Sequence, residues 1–264
     1  MAGKANTQKD LPPSYLGESR SFARAFGRFW GAVICVAVIG YAALLMIGRT
    51  EGFRDIISDR MEASLGVPLE IAVSRITPTL AIQLEEVKGG ISATNDTPML
   101  EAKKVFMRFR PGGFLRGEAW PLREMEIQDA TFRFTAIGKS EWQPLPALAG
   151  ELHRWVVVAG RSVEERDVAF PGLVWFRENG VNLRLDASDF FWRDQDGVVS
   201  AWMEEVHLEA KAMRPFEETI LWSRLRAGQI GSAWNDTVDG LEVDWISSPD
   251  REIVLKAEIG QKPR

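Results

Sequence analysis

Glu124 and Glu126 stand two residues apart in an alternating stretch, so a strand there carries both carboxylates on one face. A paired acid and base needs that spacing, with one carboxyl protonated and the other ionised. Charged alternation on an exposed strand face produces it without any chemistry. His153 and His207 are the only histidines, and neither has a cysteine or carboxylate constellation at metal-ligand spacing. His207 lies between Val206 and Leu208, on the polar side of an alternating run, as a surface imidazole would. Cys35 is the only cysteine, which excludes a disulfide framework and a cysteine-rich zinc site. No G-x-S-x-G, H-E-x-x-H, Walker or G-x-G-x-x-G pattern is present. The expectation is a non-catalytic protein without metal or cofactor. Asn95-Asp96-Thr97 and Asn235-Asp236-Thr237 match a glycosylation acceptor, and both also read as turns.

A second chemistry-bearing group is basic. Arg20, Arg24 and Arg28 recur at one-turn spacing, a stripe suited to anionic headgroups on the face of a helix entering a membrane. With Lys4 and Lys9 they make the N-terminal segment basic, against only Asp10 and Glu18. The chain's formal net charge is −5, so the remainder is acidic. No clustered basic face is evident, which argues against nucleic acid as the partner.

The segment Phe29–Gly48 holds no charge. A helix of ~20 residues spans the ~30 Å hydrocarbon core of a bilayer. A cleavable signal peptide has a shorter apolar run and small residues before its cleavage site. Here Leu44-Leu45-Met46-Ile47 fills that place, so an uncleaved anchor is expected. Arg20, Arg24 and Arg28 before the run balance Arg49, Arg54 and Arg60 after it, and Lys4 and Lys9 tip the count toward a cytoplasmic N-terminus. Residues 1–28 then form a disordered basic cytoplasmic tail, and residues 29–48 the span.

Two kinds of element must position the residues beyond the span. Phe53, Ile56, Ile57, Met61 and Leu65 recur at helical spacing and predict an amphipathic helix over 51–65, closed by Gly66 and Pro68. From residue 69 the period is two. Leu80–Glu85, Val105-Met107-Phe109, Ala130-Phe132-Phe134, Val181-Leu183-Leu185, Val206–Ala212, Leu241-Val243-Trp245 and Ile253–Ile259 all alternate with polar residues. That is the pattern of one-sided antiparallel strands. Asn179-Gly180, Asp196-Gly197 and Asp239-Gly240 predict tight hairpins. The stretches 144–154 and 215–226 leave a short helix open. The expected fold is mainly β: a curved, groove-like antiparallel sheet after one transmembrane helix and one amphipathic helix.

Residues 51–134 resemble a known family. The helix ends in Leu65-Gly66-Val67-Pro68, followed by Leu69-Glu70-Ile71, Leu84-Glu85-Glu86-Val87 and Pro98-Met99-Leu100-Glu101-Ala102-Lys103-Lys104-Val105. Then come Phe114-Leu115-Arg116-Gly117, Leu122-Arg123-Glu124-Met125-Glu126-Ile127 and Ala130-Thr131-Phe132-Arg133-Phe134. This order is similar to the N-terminal region of the AsmA-like and TamB-like proteins of Gram-negative envelopes. The resemblance implies a bacterial inner-membrane anchor, a periplasmic sheet curled into an apolar groove, and a part in moving phospholipid or assembling the outer envelope. It divides the chain into an AsmA-like module at 49–138 and a continuing β domain at 139–264.

Ten tryptophans against two tyrosines suit either a core or an apolar groove wall. Several share a strand face with another apolar residue, as Leu173 with Trp175 and Val243 with Trp245. If a groove exists, Val105, Met107, Phe109, Phe132 and Phe134 line it, and its ligands are phospholipid acyl chains. The competing expectation is a membrane-tethered subunit that docks another envelope protein, or a second copy, through its sheet edge or apolar face.

Overall fold

The structure is a computed structural model. It describes residues 15–65, 67–90, 97–110, 112–113, 116, 121–137, 142–143, 145–159, 173–213, 219–233, 235–249 and 252–260. The chain divides into two compact units, Met1–Leu45 and Met46–Arg264.

Helix α1, Tyr15–Ile47, runs through the first unit. Its stretch Phe26–Ile47 is long and apolar enough to cross a membrane. Residues 15–28 are helical rather than disordered, a correction to the expected tail. Ala23, Ala25 and the arginines are good helix formers, and no proline interrupts the path into the apolar run. Residues 1–14 lie outside the described residues.

The second unit begins at Met46, in the last turn of α1. The Thr50 hydroxyl donates to the Ile47 carbonyl at 2.8 Å and accepts from the Phe53 amide at 3.3 Å. Thr50 thus caps helix α2, Glu51–Leu65, whose bounds match the helical spacing. Ile57 and Met61 are buried on it. The expected cap Gly66 lies outside the described residues.

The sheet has ten strands: β1 (Leu69–Ile76), β2 (Ile82–Gly89), β3 (Leu100–Phe109), β4 (Leu122–Ala136), β5 (Trp142–Gln143), β6 (Asn182–Arg193), β7 (Val199–Met213), β8 (Ile220–Ser232), β9 (Asn235–Ser247) and β10 (Glu252–Ile259). Their order is β1-β2-β3-β4-β6-β7-β8-β9-β10, with β5 on β4, and the sheet stays open rather than closing into a barrel. Neighbours are antiparallel except β4 and β6, which run parallel with Phe132 opposite Phe190 and Phe134 opposite Trp192. A parallel pair needs a crossover. Helices α3 (Pro146–Ala159) and α4 (Val174–Glu178) lie on it.

Several local readings change. The stretch 144–154 resolves as α3, while 220–226 belongs to β8, whose alternation is masked by Trp222 and the arginines on its polar face. Leu173 and Trp175 lie at α4, not on a strand. Asp196-Gly197 forms the β6–β7 hairpin, where the Asp194 carboxylate accepts from the Asp196 and Val198 amides. Asn179-Gly180 instead ends α4, and Asp239-Gly240 lies within β9. All three glycines have positive φ; only the first lies between two strands that pair with each other.

Alternation divides the sheet into two faces. The apolar one forms a connected core with α2, α3 and Leu173, from Ile57 and Leu69 to Val243 and Trp245. The other carries cross-strand ion pairs. Arg224 grips Asp244 through two bonds of 2.8 and 3.0 Å. Arg226 and Lys256 both donate to Glu242, and Arg108 donates to Glu124 at 2.9 Å.

The sheet edges differ. Along β1, Ser58 donates to the Leu69 carbonyl, Glu62 accepts from the Leu69 amide, and Arg54 donates to the Ala72 carbonyl. Helix α2 therefore occupies edge groups that another strand would use. Among the described residues no strand pairs with the outer edge of β10.

Candidate functional site: the apolar sheet face

The parallel register of β4 and β6 builds an aromatic ladder. Phe132 stacks on Phe190 with centroids 4.7 Å apart and planes 3° apart, and Phe134 meets Trp192 at 5.4 Å. Along each strand the rings remain in contact, at 6.1 Å for Phe132–Phe134 and 6.2 Å for Phe190–Trp192. These spacings fall within the favourable range for aromatic pairs. Period-two alternation puts each strand's rings on one face, and in-register pairing sets them side by side.

Helix α3 covers this end of the face. The Trp192 indole donates to the Ala149 carbonyl at 3.1 Å. The His153 imidazole lies 5.0 Å from the Trp142 ring and 5.6 Å from the Trp192 ring. Trp155 meets Trp245 of β9 at 5.6 Å. Leu148, Ala149, Leu152, Trp155 and Val156 of α3 are buried, as expected for an amphipathic helix laid on a sheet. Burial holds the His153 pKa below its ordinary value. Its Nε2 is enclosed without a hydrogen-bond partner among the described residues.

The groove candidates all lie on this face. Val105 is 3% exposed, while Met107, Phe132 and Phe134 are each 0% exposed. Phe109 is half-buried against the same core. Met107 pairs with Ile82 and Met125, and Val105 with Leu84 and Ile127, so they continue the apolar surface toward the other end of β3. In this state the face is packed with the protein's own side chains. Of the basic stripe, Arg20, Arg24 and Arg28 all fall within α1, and Arg28 is exposed.

Phe190, Trp192, His153, Trp155 and Trp245 complete the face. The alternating run Val181-Leu183-Leu185 does not extend to Phe190 because β6 is irregular after Leu185, with Ala187 at φ 47° and register shifts on either side of Ser188. The signal was the resumed alternation Phe190-Phe191-Trp192-Arg193.

The candidate acid–base pair is occupied on the polar face. Glu124 accepts from Arg108, and Glu126 accepts from the Gln128 amide at 2.7 Å. His207 Nδ1 lies 2.6 Å from Asp186 on an exposed surface. No group of three or more His, Cys, Asp and Glu side chains suited to a metal occurs among the described residues. Hydrogen bonds from Lys256 and then Arg226 hold the Glu242 carboxyl below its ordinary pKa.

No protein-family model matches this chain, and no curated protein matches it.

Proposed function

We propose that this chain is a membrane-anchored envelope protein of the AsmA-like kind, with a cytoplasmic N-terminus and a periplasmic sheet that handles phospholipid acyl chains without catalysis. The observation that carries the reading is a single open sheet with one continuous apolar face, on a polypeptide with a span-length apolar helix. Such a face must be covered by protein or by lipid. Its present cover includes α3, held through side-chain packing and the Trp192–Ala149 hydrogen bond rather than a strand ladder. Acyl chains reach the aromatic ladder when α3 lifts, exchanging one apolar cover for another.

A second reading has its own support. Phe132, Phe134 and Met107 are buried in this state, whereas among the described residues no strand pairs with the outer edge of β10. On that reading the chain is a tethered subunit that docks an envelope protein, or a second copy, by strand addition.

The discriminating experiment is native mass spectrometry of the full chain purified from membranes, with photoactivatable phospholipids added before extraction. Retained phospholipid with tail crosslinks on β4, β6 or α3 supports lipid handling. A stoichiometric protein partner without lipid supports docking. A bare monomer with no crosslink on the apolar face refutes lipid handling.

A further inference from the structure

The polar face is charge-balanced along most of its strands, and Arg193 is an exception. Arg193, the last residue of β6, makes no side-chain hydrogen bond or ion pair among the described residues, and its Nε is enclosed without a partner. It lines a small cavity of about 40 Å³ with Gly90, Thr97, Pro98, Met99, Arg133 and Thr135. Thr135 is the register partner of Arg193, and Arg133 lies two residues back on β4. Strand spacing and rise put the two arginine Cα atoms about 8 Å apart. Arg133 donates to the Pro98 carbonyl at 2.9 Å, and its nearest carboxylate oxygen, on Glu101, is 3.8 Å away. Two arginines and two threonines thus line one cavity, and no acidic residue lines it among the described residues.

Two guanidinium groups in a shared, partly desolvated space repel unless an anion lies between them. A guanidinium fork offers parallel N–H donors matched to the oxygens of phosphate. Forks on adjacent strands, with hydroxyls beside them, suit a tetrahedral group better than a planar carboxylate. We propose that Arg133 and Arg193, with Thr97 and Thr135, form a binding site for a phosphoryl group. Free phosphate and a phospholipid headgroup present the same chemistry. The site lies on the polar face and stands independently of the lipid-handling reading.

Isothermal titration calorimetry on the full chain in uncharged detergent tests it, with inorganic phosphate in one arm and dihexanoyl phosphatidic acid in the other. Saturable one-to-one binding is expected, weakened about tenfold or more in Arg193→Gln and in Arg133→Gln. Preference for phosphatidic acid identifies a lipid headgroup as the source, and equal affinity identifies free phosphate; either supports the site. No saturable binding of either probe overturns it, as does unchanged binding in a folded Arg193→Gln. If Arg193→Gln unfolds, Arg193→Lys is measured instead. It keeps the charge and loses the fork, so binding should fall severalfold, and undiminished affinity would overturn the proposal.

Discussion

Truncating Phe132 to alanine tests whether the apolar face is a dry core or an open wall. Phe132 is 0% exposed and stacks on Phe190 at 4.7 Å and on Phe134 at 6.1 Å. A phenylalanine so enclosed costs about 3–5 kcal/mol on truncation, because transfer energy and packing are both lost. In a body of this size each kcal/mol shifts the melting temperature by ~2–4 °C, so Phe132→Ala should lower it by roughly 6–20 °C. The stacked pair contributes about 0.5–1.5 kcal/mol beyond area burial. Phe132→Ala and Phe190→Ala also open a shared cavity, so the double variant should lose less than the sum of the singles by at least that amount. The assay is thermal unfolding of the full chain in detergent, followed by tryptophan fluorescence, since Trp192 adjoins the ladder. A shift below ~2 °C for Phe132→Ala would refute the packed ladder, because truncating a ring in an open groove removes few contacts.

Three further outcomes are expected. His153 is held neutral by burial, so the unfolded chain takes up its proton first; stability should be full above the ordinary value of 6.5 and decline as pH falls below it. His153→Phe should flatten that decline in a melting-temperature profile between about pH 7 and pH 5. Glu242 has a lowered pKa, so its contribution is present above the ordinary 4.5 and lost as pH falls through the folded value. Because its partners Arg226 and Lys256 are solvent-exposed, Glu242→Gln should cost under ~1 kcal/mol at neutral pH by chemical denaturation, and less in high salt. Gly48→Ala should destabilise by about 1–3 kcal/mol. Its new Cβ would lie 2.6 Å from the Ile76 amide nitrogen, a backbone atom that cannot rotate aside; an unchanged melting temperature would show that this close approach is absent.

How much was legible from the chain depends on the range of the interaction. An uncharged run from Phe29 to Gly48, helical spacing over 51–65 and period-two alternation are local signals, and local physics produced α1, α2 and most strands where those signals lie. The face of Val105, Met107, Phe132 and Phe134 was equally legible, since alternation alone puts each strand's apolar residues on one side. The partner strand of β4 was not. Hairpin logic favours sequence neighbours, whereas β6 reaches β4 in parallel only through the crossover bearing α3. That long-range pairing places Phe190 on Phe132 and Trp192 beside Phe134. It also puts Arg193 beside Thr135, joining residues nearly sixty positions apart at one cavity. Whether the apolar face stands open or filled was decided only in three dimensions, because α3's fit over β6 and β9 depends on Trp155 meeting Trp245 and on Trp192 reaching the Ala149 carbonyl.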